Sequence, residues 1–235
     1  MSGLGHYLED EGLPTVQISL IRMHTEKMRP PRALWVSFML GRPLGQPDDP
    51  AFQTRVLRAA LELLEAPAGP IIEDYPEDAE GSHDMSGWVC PVSFVRDEQE
   101  ADLRERLRRE LQEFRSWYDI GLERRGRTTF GSAGLTIERI ADLLVALAEG
   151  GLPANPTPDR PLGETVRLAG EDLKAFYSEA ATAQPGPVGA VELKDWFWRN
   201  TTAAKVLIQA RLAGLKSEDA SLREMAGVLV PADWR

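Results

Sequence analysis

Apolar side chains in the first third of the chain come in short, dense runs. Residues 15–21 (TVQISLI) and 33–40 (ALWVSFML) are rich in β-branched, aromatic and aliphatic residues, and each gives way to a polar loop, which reads as a pair of buried strands. A short helical turn over residues 6–11 precedes the first, and an amphipathic helix over residues 50–65 follows the second. Asp49 stands where an N-cap belongs, with Pro50 at the first helical position. Leu57, Leu61 and Leu64 mark the buried stripe of that helix at helical spacing. Helix, strand, loop, strand, loop, helix, with nearly continuous apolar strands, is the pattern of a parallel sheet covered on both faces.

Further on, Ile71-Ile72 gives a short strand before an acidic loop over residues 73–84, and residues 88–95 form another strand candidate that contains Cys90. The period then changes. Residues 97–118 read as a long helix with a D-x-x-E cap at Asp97 and Glu100 and an apolar stripe of Leu103, Leu107, Leu111, Phe114 and Tyr118. Residues 126–134 read as a strand and glycine loop leading into a helix over 136–149, a third βα step. The stretch 150–161 holds four prolines and two glycines and reads as a linker or exposed loop. Helices over 162–183, 190–215 and 217–230 complete the chain. The expected fold is α/β, a small mostly parallel sheet in the N-terminal half with a helix-rich C-terminal half. The expected division is an α/β, Rossmann-like region over 1–150 and a helical region over 151–235, the latter able to pack into the same domain.

Composition narrows the function. Apolar residues make up 43% and charged residues 27% of the 235, as in ordinary soluble globular proteins. A formal charge of −10 argues against a nucleic-acid partner, which needs a basic footprint. Cys90 is the chain's one cysteine, so no intramolecular disulfide can form, and a reducing cytoplasm is the expected compartment. No apolar run approaches the roughly 20 residues of a membrane span, and no signal peptide is apparent at the N-terminus.

Ligands of open parallel sheets bind beyond the carboxyl ends of the strands, and three loops qualify: 22–27, 41–46 and 131–134. Loop 41–46 stands out, because Gly41 and Gly45 permit close backbone approach and Arg42 has the fork that holds a carboxylate bidentately. Its glycines and prolines equally suit a tight strand-to-helix turn. His24, at a strand end, has the chemistry of an acid or base, and Arg32 completes the substrate-side candidates; His6 and His83 have no obvious partner. Gly131-Ser132-Ala133-Gly134 either cradles an anion at the next helix or makes a structural turn, and it is no dinucleotide fingerprint. Cys90 is the catalytic candidate as the sole redox sulfur, or an inert buried thiol. Glu73, Asp74, Glu77, Asp78, Glu80, His83 and Asp84 line an oxygen-rich loop without the residue pattern of a calcium site, so a solvated loop is expected. No metal or cofactor is expected. Trp196-Phe197-Trp198 puts aromatic rings on more than one helix face, and two buried rings with a third at a subunit contact are expected.

The run G-L-P-T-V, then P-R-A-L-W-V, then L-G-x-P-L-G-x-P-x-D-P-x-x-Q resembles the C-terminal part of the selenoprotein B family, over residues 5–65. That family comprises the substrate-activating subunits of glycine, sarcosine and betaine reductases and the matching D-proline reductase subunit. The resemblance implies reductive C–N cleavage of a small amino-acid-like substrate. In the family a selenocysteine or cysteine motif lies just ahead of the helix leading into the G-[IL]-P-T strand. Here that place reads Met1-Ser2-Gly3-Leu4-Gly5, with no chalcogen to act as nucleophile. Either a partner polypeptide carries the redox-active selenocysteine or cysteine, or the scaffold persists without the reaction.

Overall fold

A computed structural model describes residues 2–67, 69–79, 102–186 and 188–234. Its contacts divide the chain into two compact units, residues 1–86 and residues 87–235.

The first unit is built on three short parallel strands, β1 (Gln17–Ser19), β2 (Arg32–Trp35) and β3 (Ile71–Asp74), in that spatial order. Ile18 pairs with Leu34 and Leu34 with Glu73, while Ser19, Trp35 and Asp74 share the last register position. The expected sheet is therefore present and wholly parallel among the described strands. The ladder runs one step past the strand ends through Val36 N–H to Ser19 O and Tyr75 N–H to Trp35 O. Helix α1 (Ser2–Asp10) precedes β1, α2 (Arg22–Met28) connects β1 to β2, and α3 (Pro50–Glu62) lies between β2 and β3. Asp49 caps α3 as its sequence suggested, accepting the Phe52 N–H at 2.9 Å.

The buried stripe of α3 differs from the expected one. Phe52, Val56 and Ala60 face the core, continued by Leu63 in the 3-10 turn that follows, while Leu57 is 44% and Leu61 57% exposed. Two apolar stripes run side by side on this helix, one residue apart. The buried one carries Phe52, whose ring fits against Phe38 (5.4 Å) and Tyr75 (6.1 Å). An aromatic anchor with two ring partners outweighs a stripe of leucines.

Helices are the regular structure of the second unit among its described residues: α4 (Leu103–Arg125), α5 (Ile137–Ala148), α6 (Leu162–Ala183), α7 (Ala190–Asn200), α8 (Thr202–Gly214) and α9 (Ala220–Ala226). Helix α6 packs on α4, α5 and α9, and α8 packs on α5. The proline-rich stretch 150–161 thus joins two helices that pack on each other, and the division between units falls at 86/87. Leu107, Leu111, Phe114 and Tyr118 of α4 are buried, as their spacing implied. Its N-cap is Asp102, which accepts the Glu105 N–H at 2.7 Å; the expected cap at Asp97 and Glu100 lies outside the described residues. Where α6 meets α9, a Cβ on Gly163 would stand 2.0 Å from the Ser221 carbonyl oxygen, so glycine is required there.

Two features of the second unit depart from the sequence reading for one reason, carboxylates that reach from one helix to the backbone of another segment. The helix expected over 190–215 breaks at Thr201, which is extended (φ −102, ψ 148). Thr201 Oγ1 accepts the Ala204 N–H at 3.1 Å, and Glu110 of α4 accepts the Thr202 N–H (2.7 and 2.9 Å) and hydroxyl (2.5 Å). A buried carboxylate at the first turn of α8 satisfies donors that a continuous helix would not expose. Tyr177 of α6 donates its hydroxyl to the same carboxylate at 2.8 Å. Burial pushes the Glu110 carboxyl above the usual range, partly offset by these hydrogen bonds.

Residues 126–134 likewise hold no strand, so the βα step expected there is absent. Asp172 of α6, fully buried, accepts the N–H groups of Ser132 and Ala133, both at 2.9 Å. Glu179, two turns along the helix, accepts from the Thr129 N–H (2.7 Å) and the hydroxyls of Thr128 and Thr129 (both 2.8 Å). Burial works against the Glu179 charge, but these donors and Arg125 hold its carboxyl below the usual range. With its N–H groups taken by α6, the segment has no need of a strand partner.

Candidate functional site

The candidate site lies at the carboxyl edge of the three-stranded sheet, where parallel strands send successive connections out on the same side. β1 gives way to α2 and its His24, β2 to loop 41–46, and β3 to Tyr75, Glu77 and Asp78.

Loop 41–46 is tied down at both ends. Arg42 N–H donates to Met39 O and Gly45 N–H to Arg42 O, both at 3.0 Å, and Gln53 of α3 donates to Gln46 O at 2.8 Å. Gly41 (φ 89) and Gly45 (φ 83) take the left-handed conformation that glycine allows. Gly45 is buried, and a Cβ there would meet the Phe52 ring at 2.6 Å. It seats the turn on the core, whereas Gly41 is exposed. Arg42 is exposed too, and its guanidinium makes no hydrogen bond or ion pair among the described residues. His24 is exposed on α2, with no side-chain partner among the described residues.

Arg32 is placed differently. As the first residue of β2 it lies at the amino end of the strand, away from the edge that carries Arg42. It is 7% exposed and already engaged: Nη1 donates to Glu9 Oε1 at 2.7 Å and Nη2 to Ala66 O at 2.9 Å. The structure therefore brings Gly41, Arg42, Gly45 and His24 to one edge of the sheet and leaves Arg32 at the other, as a structural cation.

The sequence reading placed Arg22 in a candidate loop and Asp74 in the acidic loop but missed that they meet, together with Trp35, at the strand ends. Arg22, just after β1, pairs with Asp74 at the end of β3 (3.2 Å) and with Glu26 (3.4 Å), and its guanidinium lies 5.7 Å over the ring of Trp35 at the end of β2. The shared register of Ser19, Trp35 and Asp74 creates this contact, and only strand pairing reveals it. Beside it, Arg55 of α3 donates to both oxygens of Glu77 (3.2 and 2.8 Å), and Tyr75 donates its hydroxyl to Glu77 at 3.1 Å. The Arg55 hydrogen bond holds the Glu77 carboxyl below its usual range, while burial pushes the Tyr75 hydroxyl up. Ser37 hydrogen-bonds Asp78.

Part of the acidic loop is thus paired rather than freely solvated: Asp74, Glu77 and Asp78 all have protein partners. No group of three or more His, Cys, Asp or Glu side chains is arranged to hold a metal ion among the described residues. Glu80, His83, Asp84 and the candidate catalytic Cys90, with its strand over 88–95, lie outside the described residues. The Gly131–Gly134 cradle does hold an anion, but the anion is the chain's own Asp172. Trp196, Phe197 and Trp198 are all buried in the second unit, so the ring expected at a subunit contact packs inside instead, Trp198 stacking on Trp234. Among the described residues no helix is long and apolar enough to cross a membrane.

Fold and edge together define an α/β protein with a small parallel sheet and a separate helical unit. No family model, curated protein or solved structure matches the chain.

Proposed function

We propose that the chain is an accessory or partner subunit of a reductase assembly of the selenoprotein B type, supplying substrate-side loops while a second polypeptide carries the redox-active selenocysteine or cysteine. The reaction of such an assembly is reductive cleavage of a C–N bond in a small amino-acid-like substrate. One observation carries most of the support: within residues 12–49, β1 and β2 are neighbouring parallel strands, and the loop after β2 presents Arg42 exposed at the carboxyl edge. An unengaged guanidinium there suits a substrate carboxylate. The test is co-expression with the product of the neighbouring gene. A stable hetero-oligomer that cleaves a C–N bond, and loses that activity in Arg42→Ala, is the expected result; a chain that stays monomeric beside that product contradicts it.

A second reading, a non-catalytic small-acid-binding or scaffold protein, draws support from the way Arg22, Arg32 and Arg55 are bound to the protein's own carboxylates. Here Arg42 binds a ligand that no neighbouring group transforms. Small-acid binding without redox activity in any reconstitution separates this reading from the first.

A further inference from the structure

Helices α1 and α2 of the first unit turn apolar side chains outward and polar ones inward. Among the described residues neither helix contributes a side chain to that unit's apolar core. The buried residue of α2 is Thr25, hydrogen-bonded to Ser19. On α1, a Cβ at Gly5 would stand 3.3 Å from Thr15 Oγ1, and Glu9 reaches in to Arg32. Solvent meets the apolar residues instead: Leu4 is 57%, Tyr7 61%, Met23 67% and Met28 43% exposed. Leu4 and Tyr7 share a face of α1 at i, i+3. The two helices pack on each other, and His6 Nε2 donates to Met28 O at 3.3 Å, which sets Met28 beside α1. With exposed Leu13 and Ile21 the apolar residues present on the order of 700 Å², near the ~800 Å² that a standard interface hides on each partner. Single exposed apolar residues are ordinary, but a helix pair with its amphipathic sense reversed needs a cover.

Charge selects the occupant. Asp10 and Glu11 stand at the end of α1, and Lys27 and Arg29 at the end of α2. None of the four has an ion pair among the described residues. Both helix ends lie near the amino end of β2, since Glu9 pairs with Arg32 and Arg29 precedes Arg32 by a short Pro-Pro step. The apolar face is thus flanked by two unneutralised acids and two unneutralised cations, which makes it complementary to itself. We propose that the chain forms a two-fold dimer through this face, each α1 lying on the partner's α2. Leu4 and Tyr7 then pack on the methionines of the partner's α2, thioether against ring, and the acidic end of each α1 meets the cationic end of the partner's α2. Aromatic and methionine side chains are the residues that interface centres favour.

Sedimentation velocity of the full chain across micromolar concentrations tests the dimer. The expected result is a reversible monomer–dimer equilibrium whose dissociation constant rises more than about tenfold in Tyr7→Glu and in Met23→Glu. Leu57→Glu, an equally exposed apolar site on α3, should leave it unchanged. Reversing the acids with Asp10→Lys and Glu11→Lys should weaken the dimer several-fold, and adding Lys27→Glu and Arg29→Glu should restore it. Every position is exposed, so the variants should fold, and far-ultraviolet circular dichroism checks that they do. A parent that stays monomeric overturns the proposal, as does one that uses this face only to bind the product of the neighbouring gene. A dimer undiminished in Tyr7→Glu and Met23→Glu, or one lost in Leu57→Glu, overturns it equally.

Discussion

In residues 87–235 the carboxylates of Glu110 and Asp172 are sealed inside and taken up by backbone N–H groups, whereas in residues 1–86 those of Asp74, Glu77 and Asp78 stand at strand ends beside arginines or a hydroxyl. The same chemical group does two jobs. Inside the helical unit each carboxylate ends or redirects a segment of backbone, so its hydrogen bonds are part of the fold. At the sheet edge the charges are partly exposed and exchange readily with water, so each contributes little to stability. Polar groups committed to the backbone belong to the fold; the proposed ligand site lies among those gathered at the strand ends.

Substitutions sharpen that contrast, beginning with the core that both inner carboxylates serve. Phe114→Ala removes a fully buried ring that packs on Tyr177 (5.3 Å) and Trp196 (5.6 Å), and chemical denaturation should show a loss of about 4 kcal/mol. Asp172→Asn should cost about 2 kcal/mol, because an amide supplies one acceptor oxygen where two N–H groups need one each. Faster hydrogen exchange at Ser132 and Ala133 is its local signature; unchanged protection there would mean that Asp172 does not hold the loop.

Glu110→Gln should cost about 1 kcal/mol, with a pH dependence of definite sign. Burial raises the Glu110 carboxyl above its ordinary value of about 4.3, so the folded state binds the proton more tightly than the unfolded one. The stability tied to that proton is fully present below the ordinary value and is lost as pH rises through the raised one. Glutamine does not titrate, so the deficit of the variant in thermal melts should be largest near the ordinary carboxyl value and narrow over the interval above it. A deficit that widens over that interval reverses the assignment. Smallest of all, Leu57→Ser and Leu61→Ser should each stay within about 0.5 kcal/mol of the parent, since both side chains are exposed.

Much of this architecture is legible in the sequence because local rules determine it. The β-branched runs gave the two strands, Asp49-Pro50 the start of α3, and the periodicity of Leu107, Leu111, Phe114 and Tyr118 the buried face of α4. Failures came where a distant group decides. Thr201 lies in a helix-compatible stretch until Glu110 arrives from α4, and the 126–134 loop has a strand's composition until Asp172 and Glu179 take its donors. On α3 the local pattern offered two stripes, and only the rings of Phe38 and Tyr75 chose between them. Of the site, Gly41, Arg42 and Gly45 were readable as a loop after a strand. The Arg22–Trp35–Asp74 contact was not, because it depends on the register of three strands far apart in sequence.

A nitrogen-15 correlation spectrum of the full chain titrated with glycine, and separately with acetate, tests most directly whether ligand chemistry belongs to the sheet edge. Shifts should gather at residues 20–27, 37–46 and 74–78 and vanish in Arg42→Gln, while the amides of residues 131–134 stay still. Shifts centred on 131–134, or none at the sheet edge with either titrant, would contradict the account.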